Sequence, residues 1–204
     1  MRSRLNEASR RTAHYRYFTV YKPYMMLCQF TAEQAGDVTL KDLDYPFPPD
    51  VYPVGRLDKD SEGLLLLTND NQLKTKYLKP QTETPKTYYA QLEGEISPQA
   101  VGQLSKGVTI NVGGSAYTTL PARVRRIDPP GHLPERNPPI RYRKEKPTSW
   151  IEITIVEGKN RQIRKMTAQV GFPTLRLVRV AIGTLKLTRL APGQVEEVGK
   201  PWNL

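Results

Sequence analysis

The chain has 204 residues, 38% of them hydrophobic, enough to bury the core of one domain or of two closely packed halves. Its 31 lysines and arginines outnumber 20 acidic side chains for a formal charge of +11, so a polyanion is the expected partner, nucleic acid before membrane because no basic amphipathic helix is present. The only cysteine, Cys28, excludes an intrachain disulfide and a cysteine-rich zinc site, and two histidines, His14 and His132, leave little for serine-protease or zinc-hydrolase chemistry.

Residues 1–13 carry Arg2, Arg4, Arg10 and Arg11 with few large apolar groups, and read as a flexible basic tail. Strands are expected over 17–21 and again over 25–30, broken at Lys22-Pro23. Thr39 suits the cap of a short turn over 40–43, and the proline-rich 46–53 segment reads as a loop. Leu64-Leu65-Leu66-Leu67 has the character of a strand buried on both faces, and Gly55 and Gly63 bracket a polar turn ahead of it. A short helix over 71–78 stops at Pro80.

The second half starts with a β-prone run over 86–92. Ser97-Pro98 gives an N-cap with proline at the first helical position, leading a helix to about Lys106, and Gly113-Gly114 marks a hairpin. Residues 128–147 hold six of the 18 prolines among Arg136, Arg141, Arg143, Lys144 and Lys146, and read as a long irregular basic loop or an interdomain linker. Alternation over 150–156 gives a half-buried strand. Asn160 suits the cap of a helix that places Ile163, Met166 and Val170 on one face and ends at Gly171, and a strand follows over 175–180. The expected class is α+β, with mixed or antiparallel sheets and flanking helices. No apolar run approaches the length of a membrane span, and no export signal is present.

Chemistry concentrates in two places. The turn Gly55-Arg56-Leu57-Asp58-Lys59-Asp60-Ser61-Glu62-Gly63 sets carboxylates on a loop anchored to a core strand. From Lys159 to Arg189 there are eight lysines and arginines and no acid, which marks an anion-binding surface; Arg161 and Arg164 lie three apart beside the apolar stripe of their helix. The turn admits other readings: a solvated Arg56–Asp58 pair, a calcium loop, or a magnesium nuclease using Asp58, Asp60 and Glu62. The calcium reading is weakened by Asn69 at the twelfth position and by the strand that follows.

The set Lys22-Pro23, Gly55-Arg56-Leu57-Asp58 with Asp60-Ser61-Glu62-Gly63-Leu64-Leu65-Leu66-Leu67-Thr68-Asn69-Asp70, Lys86-Thr87-Tyr88, and Glu157-Gly158-Lys159-Asn160-Arg161-Gln162-Ile163-Arg164-Lys165-Met166 resembles the RsuA/RluB/RluE/RluF family of ribosomal RNA pseudouridine synthases. The motifs occur in family order from Lys22 to Gly183. The resemblance implies the pseudouridine synthase catalytic fold over 14–204, with halves near 14–82 and 83–204, and 23S ribosomal RNA of the large subunit as substrate. It implies that Asp58 is the catalytic aspartate, that Tyr88 stacks on the target base, that Arg164 pairs with the aspartate, and that Leu177 lines the base pocket. Lys22-Pro23 would support the floor of the site, while Arg56, Lys159, Arg161 and Arg179 would contact the RNA. Many relatives carry an RNA-binding S4 domain of about sixty residues ahead of the lysine-proline motif; only 21 residues precede Lys22 here, so none is expected, and the basic tail and the 128–147 loop are the candidate substitutes.

Isomerising uridine means breaking N1–C1′, turning the base and joining C5 to C1′, with no net redox change, so neither cofactor nor metal is expected. Aspartate can act as nucleophile or as general base in this sequence of steps. The expected protein is a cytoplasmic monomer without an obligate protein partner. Its rival is a non-catalytic RNA-binding or ribosome-assembly factor on the same scaffold, for which the Asp58 carboxylate would be dispensable.

Overall fold

The computed structural model describes residues 14–140, 146–187 and 189–201. The expected basic tail and the 141–145 part of the basic loop lie outside them. Eleven strands and three α-helices are present among the described residues, and a nine-stranded sheet runs through both halves of the chain.

The first half contributes β1 (Tyr17–Lys22), β2 (Tyr52–Pro53) and β3 (Glu62–Thr68), followed by α1 (Asn71–Leu78). The four leucines of β3 are buried on both faces, as their sequence requires. Leu65 and Leu67 enter the large core with Phe18, Val20 and Ile153, while Leu64 and Leu66 pack on the other side with Tyr17, Leu73 and Tyr77. Asp70 caps α1 by accepting from the backbone N–H groups of Gln72 and Leu73 at 3.0 Å each.

The second half contributes β4 (Lys86–Glu93), α2 (Pro98–Lys106), the hairpin β5 (Thr109–Val112) and β6 (Ser115–Thr118), and then β7 (Arg123–Ile127) and β8 (Thr148–Ile155). After α3 (Gln162–Gln169) come β9 (Thr174–Ile182), β10 (Leu185–Lys186) and β11 (Val195–Val198). Strand order in the large sheet is β11-β1-β3-β9-β4-β8-β7. The last strand therefore returns to pair with the first, and the two halves share one sheet. Ser97 and Gly113-Gly114 act as the sequence requires, as the cap of α2 and the turn between β5 and β6.

Two expectations are corrected, and a third is narrowed. Residues 25–30 do not form a strand: Met25 has a positive φ of 63°, and only an isolated bridge from Met26 to Val38 remains. The turn aims the carbonyls of Pro23 and Met26 at the buried ammonium of Lys22 instead of at a neighbouring strand. The cap of α3 is Arg161, not Asn160; Arg161 takes the left-handed conformation, and no side chain caps the helix. The basic loop is irregular where described, as expected, but it is docked on the sheet and is not a free linker: Arg176 donates to the Pro134 carbonyl at 2.9 Å, His132 meets the Tyr89 ring edge-on, and Arg136 lies 4.2 Å over the ring of Tyr24. No described helix is long and apolar enough to cross a membrane.

The strand pairings are antiparallel except for β3 with β9, where Glu62 faces Val178 and Gly63 faces Arg179. Gly63 has a φ of +101°, and a Cβ there would lie 2.3 Å from the Arg179 carbonyl oxygen and 2.8 Å from its nitrogen. The backbone of Arg179 cannot give way cheaply. Gly63→Ala is expected to destabilise the protein by at least about 2 kcal/mol. Gly131→Ala, at an open position with nothing within 4 Å, should change stability by no more than about 0.5 kcal/mol. Urea unfolding of both variants checks the contrast.

Candidate active site

The turn ahead of β3 is fixed through its backbone. Four successive carbonyls are bound: that of Leu57 accepts from the Cys28 thiol at 3.4 Å, that of Asp58 from the Ser61 N–H at 3.0 Å, that of Lys59 from Lys22 Nζ at 3.1 Å, and that of Asp60 from Arg164 Nη2 at 2.7 Å. The Leu57 N–H also donates to Cys28 Sγ, at 3.2 Å. Burial pushes the Cys28 thiol pKa up, which keeps its proton available for that first bond. Cys28 is thus more than core filling: it holds the peptide group next to Asp58.

Among the described residues the Asp58 carboxylate makes no hydrogen bond or ion pair, whereas its acidic neighbours are both engaged. Asp60 receives a bidentate pair from Arg161, with both bonds at 2.8 Å. Burial opposes ionisation of Asp60, but the Arg161 hydrogen bonds and the Arg164 charge outweigh it and hold its pKa below the ordinary value. Glu62 is buried against Arg176, again bidentate, at 2.8 and 2.9 Å. The three carboxylates diverge onto separate partners, and no group of three or more potential metal ligands occurs among the described residues. This geometry favours neither the calcium loop nor the two-metal nuclease.

The expected Arg164–Asp58 pair is not formed. Arg164 clamps the Asp60 carbonyl, donates to the Thr174 carbonyl at 3.2 Å, and holds Nε 3.4 Å from the Asp60 carboxylate, too poorly aligned for a hydrogen bond. Burial lowers the Arg164 pKa. Helix spacing identifies Arg161 and Arg164 as neighbours, but it cannot tell which of two acids two residues apart receives them.

A cavity of about 420 Å³ opens beside Asp58, a size suited to a small ligand or a single nucleoside. Of the eight site residues expected from the sequence, Asp58, Tyr88, Leu177, Arg56, Lys159, Arg161 and Arg179 line it, and Arg164 lies behind. Tyr88 and Leu177 come from adjacent strands, β4 and β9. Arg179, only 2% exposed, donates from Nε to the Leu64 carbonyl at 2.8 Å. Its Nη2, with Ser61 Oγ, Tyr77 OH and Thr84 Oγ1, has no partner among the described residues, so unused hydrogen-bonding capacity gathers around this cavity.

Several wall residues were not singled out from the sequence. Glu157 organises the loop before α3 by accepting from the Tyr117 hydroxyl, the Leu120 N–H and Gln162 Nε2. Lys159 then lies 4.7 Å over the Tyr117 ring. Lys86 donates to the Thr84 carbonyl at 3.0 Å, and burial, with the Arg179 charge, pushes its pKa down to about 8. Its signal was its place two residues before Tyr88 on one face of β4, which puts both in the same wall.

The profile of the RNA pseudouridylate synthase family matches residues 16–169. The chain belongs to this family. It is 50% identical over 177 residues to the ribosomal large subunit pseudouridine synthase E of Vibrio parahaemolyticus, covering 87% of this chain and 71% of that one. Similarity to the protein of the same name from Xanthomonas axonopodis is 50% over 172 residues, covering 84% and 87% of the two chains. Among solved structures, a pseudouridylate synthase crystal structure superposes with a TM-score of 0.74 at 25% identity, covering 91% of this chain and 71% of that one. The α+β pseudouridine synthase fold expected from the motifs is therefore the fold observed.

The lysine of the lysine-proline motif is an anchor with a pH signature. Lys22 is fully buried, and its ammonium donates to three carbonyls at 2.7 to 3.1 Å. Burial pushes its pKa down to about 8 from the ordinary 10.5. The unfolded chain therefore holds this proton more tightly between those values, and stability rises with pH through that window. In urea unfolding, wild type is expected to gain about 2 kcal/mol over Lys22→Met between about pH 7 and pH 9.5. A pH-independent gap would mean that Lys22 keeps its ordinary pKa in the folded protein.

Proposed function

We propose that this protein isomerises one uridine of large-subunit ribosomal RNA to pseudouridine, with Asp58 as the reacting carboxylate. The observation that carries the assignment is the contrast at the turn: its backbone is bound at four successive carbonyls, while the Asp58 carboxylate lines the cavity without a partner among the described residues. Such an acid can attack, or take a proton, without first breaking an ion pair. The identity to large-subunit synthases in two bacteria supports the choice of RNA.

A uridine reaches this site only after leaving its stack. Tyr88 offers an aromatic face and Leu177 an apolar one, so a base entering between β4 and β9 exchanges one stacking environment for another. While the glycosidic bond is broken, these walls keep the base close enough to turn and rejoin through C5. Arg56, Lys159 and Arg161 at the rim suit the flanking phosphates, and Arg164 acts on the reaction by positioning the turn. The enzyme works as a cytoplasmic monomer in this reading.

Asp58→Asn is expected to lower the single-turnover rate by at least about a thousandfold while RNA affinity stays within a few fold of wild type. Asp60→Asn should retain conversion, because its carboxylate serves the arginines rather than the substrate. Pseudouridine mapping of 23S ribosomal RNA after incubation with each variant, with and without EDTA, checks both. Near-normal turnover by Asp58→Asn would overturn the assignment, and loss of wild-type activity in EDTA would return the reaction to metal chemistry.

A further inference from the structure

The cavity does not end at Asp58. On the other side of the Gly55–Asp58 turn an open groove continues, and the two share that turn, Leu78 and Lys159 as common wall. At the far end of the groove stands Tyr52, on the two-residue strand β2, with 52% of its surface exposed. Lys74 of α1 holds its ammonium 5.6 Å from the centre of the Tyr52 ring, and Leu78, one helical turn further on, is 50% exposed. Large apolar side chains are left this open at few positions among the described residues, and two of them line this groove.

The charge of the groove indicates what covers it. Arg56, Lys74 and Lys159 line it without an ion-pair partner among the described residues, and Lys59, which also lines it, is paired with Asp37. The opposing acids in the lining are Glu33 and the reactive Asp58. An exposed aromatic ring between unpaired cations is the arrangement that holds unpaired nucleotides, with bases stacked on the ring and phosphates at the cations. An acidic peptide could use the cations but would leave the ring face idle, and duplex RNA keeps its bases stacked inside the helix.

We propose that this groove carries the single-stranded RNA next to the target uridine, and that Tyr52 is the platform on which a neighbouring base stacks. The inference rests on the pseudouridine synthase reading, because a nucleotide seated in the cavity must pass its backbone over the Gly55–Asp58 turn. The Lys74 ammonium, which lies over one face of the ring, is within reach of the phosphate of a nucleotide stacked there. Extruding one base unstacks its neighbours, and the platform gives one of them a new partner at the moment the old one is lost.

The test uses the full chain with a twelve-residue oligouridylate and, separately, a self-complementary RNA duplex of the same length. Tyr52→Ala should raise the Kd for the oligouridylate at least about fivefold. Tyr52→Phe and Tyr52→Trp should bind it like wild type, since stacking needs the ring face and not the hydroxyl, and duplex affinity should not respond to any of the three. Unchanged oligouridylate affinity in Tyr52→Ala would overturn the proposal. So would a Tyr52→Phe defect as large as that of Tyr52→Ala, or an equal loss on the duplex. Pseudouridine mapping with the wild-type protein separates this result from the reaction itself: Tyr52-dependent binding without pseudouridine would sink the enzymatic reading alone, and pseudouridine with Tyr52-independent binding would sink the platform alone.

Discussion

The contact on which the site depends is the short parallel pairing of β3 with β9. It brings together residues more than a hundred positions apart, Gly63 with Arg179 and Glu62 with Val178, and nothing local encourages it. Gly63 permits the close approach, Arg179 crosses to the Leu64 carbonyl, and Arg176 grips Glu62 from the same strand. An ion pair as buried as Arg176–Glu62 adds little net stability over a hydrophobic pair of the same shape, yet removing one partner strands the other charge at a cost of about 3–5 kcal/mol. Its effect is specificity of register. A one-residue slip would break the pair and bring Glu62 or Leu64, each with a Cβ, against the Arg179 backbone that only Gly63 accommodates.

From that pairing the rest of the site follows. Once β9 lies beside β3, the preceding helix α3 is brought over the turn, Arg164 reaches the Asp60 carbonyl and Arg161 its carboxylate. Lys22 and Cys28 bind the same turn from the other side. The turn is therefore held by side chains from three separate stretches of chain, and a displacement in any of them is transmitted to Asp58. Preorganisation of this kind removes conformational freedom before substrate arrives, which is where positioned catalytic groups gain most of their advantage.

Much of this was legible in the sequence, for identifiable reasons. The leucines of β3, the Ser97-Pro98 start of α2, the Gly113-Gly114 hairpin and the apolar face of α3 are local patterns, and local patterns survive into the fold. The motifs also located seven of the eight expected site residues around one cavity. What was not legible depends on distant partners. Residues 25–30 have strand-forming side chains, but the Met26 carbonyl answers to Lys22 and that of Gln29 to the Leu40 N–H. The proline-rich loop has the composition of a free segment, yet it is docked through Tyr24, Tyr89 and Arg176, which come from well-separated parts of the chain. Arg161 adopts a left-handed backbone that no propensity favours, and the bidentate pair with Asp60 gives a physical reason for it to persist.

The fate of the three acids at positions 58, 60 and 62 explains how one carboxylate is left without a partner among the described residues of so basic a protein. In an extended segment residues 58, 60 and 62 would line one face, but the turn at Asp58 breaks that pattern, so each acid meets a different environment. Glu62 enters the sheet and neutralises Arg176; Asp60 faces α3 and takes up Arg161 and Arg164. An aspartate locked in a bidentate pair must break it before it can react. By occupying the arginines, Asp60 leaves Asp58 within their field but outside their hydrogen bonds. The Asp58 oxygens then remain outside the bidentate pair that engages Asp60.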